Sequence, residues 1–334
     1  MTSRRAIAAM IVAPLALLYA SLFVGRFVVA PGDVTHILLS RIFPIAHDWS
    51  ASVDTIVMQI RLPRALMALF VGAGLSISGA AYQGMFRNPL VSPDILGVTA
   101  AAGFGAAVAL LLSANPFELQ LIAFAFGLLG VLLTYLLARV YRTTPVLMLV
   151  LSGVVVAAFF SALLSGAKYV ADPESKLPAI TYWLLGSLNG ASTASLAVAL
   201  PAILAGSLGL MFVRWKLNVL AMGEEEARSL GVRTEWLKAV IIGCTTLITA
   251  AAVSVCGVVG WVGLVIPHLG RMLVGPDHRV LLPATVSIGA TYLLFIDDIA
   301  RTATVTEIPL GILTAVIGAP FFAYLLRKTS GTWR

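Results

Sequence analysis

Long apolar segments recur along this chain, and they limit its fold more than any other feature. Of its 334 residues, 60% are hydrophobic and only 11% are charged, and the mean hydropathy is +0.99. Soluble domains carry about 25% charged residues. A run of about 20 apolar residues can cross a bilayer, where a helix satisfies every backbone polar group internally. The sequence therefore predicts an all-α, polytopic membrane protein.

Ten segments are predicted to be transmembrane helices. An even number places both termini on one side, and the excess of Lys and Arg in cytoplasmic loops indicates which side. With the termini in the cytoplasm, fifteen of the 22 basic residues lie inside. Arg4 and Arg5 precede the first run, but no convincing cleavage site follows it, so we expect a helix rather than a signal peptide. The predicted helices span roughly 6–28, 62–83, 93–113, 118–139, 146–168, 192–213, 235–256, 260–274, 279–299 and 308–326.

One charged stretch, residues 218–238, interrupts the apolar pattern. The fifteen residues that follow Gly223 hold seven charges, so the stretch must face water. Glutamates crowd the position where a helix would begin, and Gly231 can end that helix in the left-handed conformation. The pattern predicts a short cytoplasmic helix whose Ala227 and Leu230 form an apolar face for a soluble partner. The alternative is an ordinary solvated loop.

The sequence carries little that could perform chemistry. It has no GxxxxGK[ST] loop to hold ATP phosphates, no HExxH motif and no cluster of cysteines and histidines, so neither an enzyme nor a metal site is expected. Acidic residues are nearly absent from the middle of the predicted helices, where ion-coupled carriers usually keep one. This pattern favours energy supplied by another subunit. The net charge of +7 fits loop arginines that set topology better than it fits nucleic-acid binding.

Three arginines, Arg61, Arg64 and Arg301, are predicted at the external ends of helices. Because arginine grips a carboxylate with two parallel hydrogen bonds, three converging arginines would form a docking surface for an acidic soluble partner. One alternative is that their long side chains simply reach the membrane interface at helix ends. Another is that Arg301 pairs with Asp297 or Asp298, one turn earlier. The residues alone leave these alternatives open.

Four separated motifs occur in an order that resembles one transporter family. They are RLPRALMALFVGAGLSISGAAYQGMFRNPLVSPDILGVTAAAGFG (61–105), MGEEEARSLGV (222–232), GVVGWVGLVIPHLGRMLVGPDHRVLLPAT (257–285) and EIPLGILTAVIGAPFFAYLLRK (307–328). Together they resemble the binding-protein-dependent ABC importer permeases for ferric siderophores, haem and cobalamin, the FecCD type. The likeness covers nearly the whole chain from Arg61 onward.

The resemblance implies the architecture of a type II ABC importer permease, with a single transmembrane domain over residues 1–334 and about ten helices per subunit. Two copies would form a homodimer in the bacterial inner membrane. Two cytoplasmic ATPase subunits, which carry ATP and Mg, would engage coupling helices at about 215–233. One periplasmic binding protein would dock on the outside. The chain itself would bind no cofactor and catalyse no reaction.

The resemblance also assigns roles to individual residues. The binding protein would dock on Arg61, Arg64 and Arg301. The cytoplasmic gate falls on Thr143 and Thr144. The translocation path involves Ser161 and Ser165, for which close helix packing is the alternative interpretation. Contact with the ATPase falls on Met222, Gly223, Glu224, Ala227, Arg228, Ser229, Leu230, Gly231 and Val232.

The substrate does not follow from these motifs. The family implies an iron chelate, haem or cobalamin, but one branch of it handles molybdate. The segment 168–188 borders the predicted cavity and does not exclude a molybdate- or tungstate-type oxyanion. An ion-coupled secondary transporter and a non-transporting membrane scaffold are the rival hypotheses from other functional classes.

Overall fold

The computed structural model describes residues 4–329 except 45, 47, 48 and 140–142, and these residues form a helical bundle. A π-helical segment, Ile56–Arg61, joins α3 to α4 in one continuous helix. The helices are α1 (Arg4–Ser21), α2 (Pro31–Ser40), α3 (Ala51–Thr55), α4 (Leu62–Met85), α5 (Val98–Leu111), α6 (Pro116–Ala138), α7 (Val146–Val170), α8 (Lys176–Leu185), α9 (Thr193–Met222), α10 (Glu224–Ser229), α11 (Thr234–Cys256), α12 (Val262–Val274), α13 (His278–Thr302) and α14 (Leu310–Thr329).

Ten of these helical segments match the ten predicted spans in position. Among the described residues, six helices are long and apolar enough to cross a membrane, and they run over Ala51–Met85, Pro116–Ala138, Val146–Val170, Thr193–Met222, Thr234–Cys256 and His278–Thr302. The other four, within α1, α5, α12 and α14, are apolar but shorter. The prediction of an all-α, polytopic architecture is confirmed.

Helix α4 lies at the centre of the bundle, packed by α9, α11, α12 and α13. Its small residues explain how four helices reach it. A Cβ atom on Gly72 would lie 2.2 Å from the carbonyl oxygen of Gly289, and one on Gly79 would lie 1.8 Å from that of Gly263. Lipid tails are as apolar as the helix surfaces, so the hydrophobic effect does not drive helices together in a membrane. Small residues promote association there because they let the backbones of two helices pack closely.

Several predicted helix boundaries are wrong. The helix predicted at 6–28 ends at Ser21, and two further errors have a physical cause. The helix predicted at 93–113 begins only at Val98, and the residues before it are partly buried, with Leu96 buried and Asp94 exposed. There the hydroxyl of Thr134 donates to the carbonyl of Leu96 at 2.9 Å. Irregular backbone is tolerated at membrane depth when protein groups satisfy it. The helix predicted at 192–213 continues to Met222, and its 30 residues span about 45 Å, which exceeds a hydrocarbon core of about 30 Å.

The helix predicted at 260–274 corresponds to α12, which is short and runs unbroken through Gly263 and Pro267. Residues 257–261 are not helical, and the 13-residue α12 follows them. The side-chain amide of Gln83 on α4 donates to the carbonyls of Val91 and Leu264 at 3.1 and 3.3 Å. One buried amide therefore ties the irregular segment before α5 to the first turn of α12.

Candidate functional site

The predicted short helix is present as α10, and its sequence explains both of its ends. Gly223, with φ of +148°, precedes it, and glutamates fill its first turn, where the helix dipole stabilises carboxylates. Gly231, with φ of +78°, follows it in a conformation that residues with a Cβ rarely adopt. The N–H of Val232 donates to the carbonyl of Ala227 at 2.9 Å, which closes the last turn. The charged stretch is therefore folded and is not a plain solvated loop.

The apolar surface of α10 differs from the predicted one. Ala227 is fully buried against the bundle, whereas Leu230 is 64% exposed and Met222 61% exposed. A helix of six residues is marginal on its own and needs tertiary packing to persist. The predicted role of Ala227 in an exposed face is therefore corrected. Ala227 anchors α10 to the protein, and Leu230 and Met222, which flank α10 on either side, are exposed apolar side chains that a partner can reach.

A cleft of about 470 Å³ opens beside α10, between the end of α9 and the start of α11. Trp215 and Trp236 line it and are both more than half exposed. The ammonium of Lys216 lies 5.1 Å from the ring centroid of Trp236, a cation–π distance. The sequence analysis did not single out these aromatics, although two tryptophans beside the ends of apolar segments are a recognised interface signal.

Lys238, in the first turns of α11, is the centre of an ion cluster under α10. Its side chain is 1% exposed, and lysine is almost never buried without partners. Its Nζ lies 3.0 Å from Oε1 of Glu224 and 2.6 Å from Oε1 of Glu235. Arg228 of α10 lies 3.3 Å from Glu224 and 3.7 Å from Glu235. Two cations and two carboxylates thus join α10 to α11.

The same cluster holds the segment that contains the predicted gate. The Nζ of Lys238 donates to the carbonyl of Thr144 at 2.7 Å. Oε2 of Glu235 accepts the backbone N–H of Thr144 at 2.9 Å, and it also accepts that residue's hydroxyl at 2.5 Å. Thr144 is 1% exposed, whereas Thr143 is exposed. The structure therefore brings the predicted coupling helix and the predicted gate to one cluster, through two residues that the sequence analysis did not assign.

At the opposite end of the bundle, Arg64 is buried in an ion cluster of its own. Its Nη2 lies 2.9 Å from Oδ1 of Asp297 on α13, and its Nη1 lies 2.9 Å from Oε1 of Glu307, just before α14. The side chain of Arg64 is 8% exposed and that of Asp297 is fully buried. The side chain of Glu307 is 16% exposed, so it is the most accessible member of this cluster.

Arg61 and Arg301 are also buried and also bind groups of this chain. Arg61 donates to the carbonyl of Leu22 at 2.7 Å and to that of Phe27. Arg301 donates to the carbonyl and the hydroxyl of Ser21 at 2.7 and 2.6 Å, and it pairs with Asp298. Internal pairing, one of the alternatives for Arg301, is thus present. Docking of a partner on these arginines stays a prediction.

Ser161 and Ser165, the predicted path residues, lie one turn apart on the exposed face of α7. The hydroxyl of Ser165 donates to the carbonyl of Ser161 at 2.9 Å. Ala158, Ala162 and Gly166 are exposed on the same helix. This helix therefore presents small residues outward in a single copy of the chain.

Comparison with known proteins shows which family the chain belongs to. The family description that matches is the FecCD transport family, over residues 12–328. The chain belongs to the FecCD transport family. It is 41% identical to the molybdate import system permease protein of Haemophilus influenzae over 92% of this chain and 91% of that one. It is 42% identical to the cobalamin import system permease protein of Halobacterium salinarum over 85% and 76% of the two chains.

A solved structure supports the same assignment. It is in an inward-facing conformation and is described as a metal-chelate type ABC transporter; its TM-score is 0.87 at 37% identity, and the match covers 98% of this chain and 100% of that one. This FecCD protein is therefore an ABC importer permease, a multi-pass membrane subunit that works with an ATPase partner. Relatives with different substrates show that membership of the family does not determine what is carried.

Proposed function

We propose that this permease moves an iron chelate, haem or cobalamin across the bacterial inner membrane by alternating access, driven by a separate ATPase. The observation that carries the proposal is α10, a folded helix with exposed Leu230 beside an aromatic cleft at one end of the bundle. A soluble subunit can push on such a surface, and a conformational equilibrium shifts when contacts differ between its two states. ATP and Mg would stay on that ATPase, and this chain would bind no cofactor.

The working assembly would be a homodimer with both termini in the cytoplasm, two ATPases beneath it and one periplasmic binding protein above it. This orientation follows from the distribution of basic residues and puts α10 in the cytoplasm. The exposed small residues of α7, including Ser161 and Ser165, support close approach of another helix along the dimer axis. The same face would line the translocation path, and Thr143 and Thr144 would gate its cytoplasmic end.

The binding protein would dock at the end that contains Arg61, Arg64 and Arg301. Arg64 is the most suitable contact of the three, because its partner Glu307 is partly exposed and precedes α14. A carboxylate of the binding protein would replace Glu307 on one edge of the guanidinium, while Asp297 would keep the other edge. Arg61 and Arg301 would then position this cluster through their contacts with residues 21–27.

A molybdate- or tungstate-type oxyanion is the second candidate substrate. It is favoured by one specific observation, the relative from Haemophilus influenzae that is named a molybdate import permease and matches 92% of this chain. An oxyanion and a metal chelate differ greatly in size and charge, so one uptake assay separates them.

The test is transport by the chain in liposomes together with its cognate ATPase and binding protein. Ferric siderophore, haem, cobalamin and molybdate would be offered in parallel, each with ATP or with a non-hydrolysable analogue. We expect uptake of one metal chelate that requires hydrolysis. Uptake of molybdate alone would establish the second candidate. Uptake that continues with the analogue, or that follows an ion gradient, would refute the ATP-driven mechanism and favour a secondary transporter.

A further inference from the structure

We infer that Lys238 and Glu235 are positioning residues that transmit movement of the ATPase-contact helix α10 to the gate segment at Thr144. The inference rests on the proposed function, since it takes α10 as the ATPase contact and Thr144 as part of the gate. The effect of Lys238 and Glu235 would pass through the ion cluster that joins α10 and α11 to Thr144, which lies 94 residues before Lys238.

Lys238 hydrogen-bonds to two separate elements, α10 and the segment that contains Thr144. One hydrogen of its ammonium goes to Glu224, the first residue of α10, at 3.0 Å, and another goes to the Thr144 carbonyl at 2.7 Å. Because an ammonium has three donors and no acceptor, one buried group can hold both elements and still pair with Glu235. The 1% exposure of this side chain removes water as a competing partner.

Glu235 completes the connection from the carboxylate side. One oxygen pairs with Lys238, and the other accepts both the N–H and the hydroxyl of Thr144. Glu235 and Lys238 lie three residues apart on α11, so they share one face of that helix. Helix α11 packs against α4, α6 and α9. A displacement of α10 is therefore delivered to Thr144 through a helix anchored in the bundle.

The charges of the cluster balance, which makes the connection sensitive to the loss of one member. Lys238 and Arg228 face Glu224 and Glu235. Without Lys238, the two carboxylates would keep only Arg228, whose side chain is 52% exposed. They would then repel each other, and α10 would lose its strongest attachment to α11. Helix α10 has six residues and cannot hold its orientation by itself.

The decisive measurement is the number of ligand molecules transported per ATP hydrolysed by the complete reconstituted complex. The variants are Lys238→Met, Glu224→Gln, which cuts the cluster on the α10 side, and Thr144→Val, which removes the gate hydroxyl. We expect each to lower this ratio, by about tenfold for Lys238→Met, while the melting temperature changes little for Glu224→Gln. Lys238→Arg should restore much of the ratio.

The matched control is Arg279→Met, which removes an exposed ion pair with Asp277 at the same end of the bundle. Its ratio should equal that of the wild type. In the double variant Glu224→Gln/Thr144→Val, the two losses should not add, because both would interrupt one connection. Spin labels on Leu147→Cys in the two copies of the homodimer should report an ATP-dependent distance change that Lys238→Met abolishes.

The outcomes separate this inference from the proposed function. If the wild-type complex does not couple uptake to hydrolysis, the proposed function fails. If the wild type couples normally and Glu224→Gln, still assembled, keeps the wild-type ratio, the connection through Lys238 is overturned. Strictly additive losses in the double variant would overturn it as well. Should Lys238→Met fail to assemble, Glu224→Gln and Thr144→Val decide the question.

Discussion

At the scale of single residues, the bundle buries several charges in clusters of opposite sign, whereas the buried Arg61 binds backbone carbonyls. Arg64 with Asp297 and Glu307 is one example, and Lys238 with Glu224 and Glu235 is the other. Burying a charge is tolerated when partners and hydrogen bonds compensate for lost water. The Arg64 cluster joins α4 to α13, which is distant in sequence, and the Lys238 cluster joins the consecutive helices α10 and α11 to the distant Thr144.

Removing Asp297 should destabilise the protein strongly. Asp297→Asn leaves the guanidinium of Arg64 with Glu307 as its one carboxylate partner, and the loss of a hydrogen bond to a charged group costs about 1.5–3 kcal/mol. Unfolding of the purified protein in detergent, followed by circular dichroism, measures the loss. The control is Asp54→Asn, which breaks the exposed pair with Arg41 and should cost at most about 1 kcal/mol. Equal losses for the two variants would contradict a stabilising role of burial.

Sequence reasoning located these charges but not their partners. Arg64 and Arg301 were placed at helix ends, and the pairing of Arg301 with Asp298 could be foreseen because the two lie one turn apart. Glu307 and Asp297 lie more than 230 residues from Arg64, and no local pattern connects them. The same reason hid the contacts of Lys238 with Thr144.

At the scale of helices, hydropathy located the apolar helical segments but misplaced some of their ends, because backbone conformation decides where a helix begins and ends. Residues 93–97 were included in the helix predicted at 93–113, yet Gly97 adopts a left-handed conformation with φ of +82° and the helix begins only after it. The end of α9 was placed too early because Arg214 and Lys216 were read as a loop. Charged residues mark where a helix leaves the membrane, and the helix can continue beyond them.

Close packing at Gly79 should tolerate no side chain. In Gly79→Ala the new methyl carbon would lie 1.8 Å from the carbonyl oxygen of Gly263, so α4 and α12 must move apart. Overpacking of this kind costs about 1–3 kcal/mol. The control is Gly243→Ala on α11, where a Cβ meets none of the described heavy atoms within 4 Å. This change should slightly raise the stability, because alanine favours a helix more than glycine does. Thermal unfolding in detergent compares the two; a Gly79→Ala protein as stable as the wild type would disprove the contact.

Asp277 should stabilise the start of α13 in a pH-dependent way. Its carboxylate accepts the N–H of Arg279 at 2.9 Å and the amide of Asn218 at 2.6 Å, and hydrogen bonds from Arg279 hold its pKa well below the usual range. Asp277→Ala should cost about 1 kcal/mol, the value of a typical N-cap. A lowered pKa gives stability that is present above the ordinary carboxyl pKa and is lost on acidification.

The stability difference between wild type and Asp277→Ala should therefore be constant from about pH 5 to 8 and shrink below about pH 4. Unfolding midpoints measured across this range test the sign. The control is Asp33→Ala, at an acidic residue in the first turn of α2. A difference that grows on acidification would mean that the neutral carboxyl is the stabilising form.

At the scale of the whole molecule, the two ion clusters lie at opposite ends of one bundle and share the helices around α4. The Arg64 cluster ties α4 to α13, and the Lys238 cluster ties α10 to α11, while α11 and α13 both pack on α4. The two clusters therefore act on helices that have α4 as a common packing partner. The position of α10 was predictable from its charges, whereas the burial of Ala227 depends on the tertiary packing of a helix too short to have a clear periodicity.

The exposed apolar surface of α10 should decide whether the ATPase binds. Leu230→Asp places a charge at a side chain that is 64% exposed beside the cleft of Trp215 and Trp236, so it should not unfold the chain. If Leu230 is buried on binding, the ATPase affinity should fall by about 2 kcal/mol, roughly 30-fold in Kd. Binding of the ATPase to permease in nanodiscs measures this. The matched control is Val305→Asp, a 92% exposed position at the other end of the bundle, which should bind as the wild type does. Equal affinities for the two variants would move the ATPase contact away from α10.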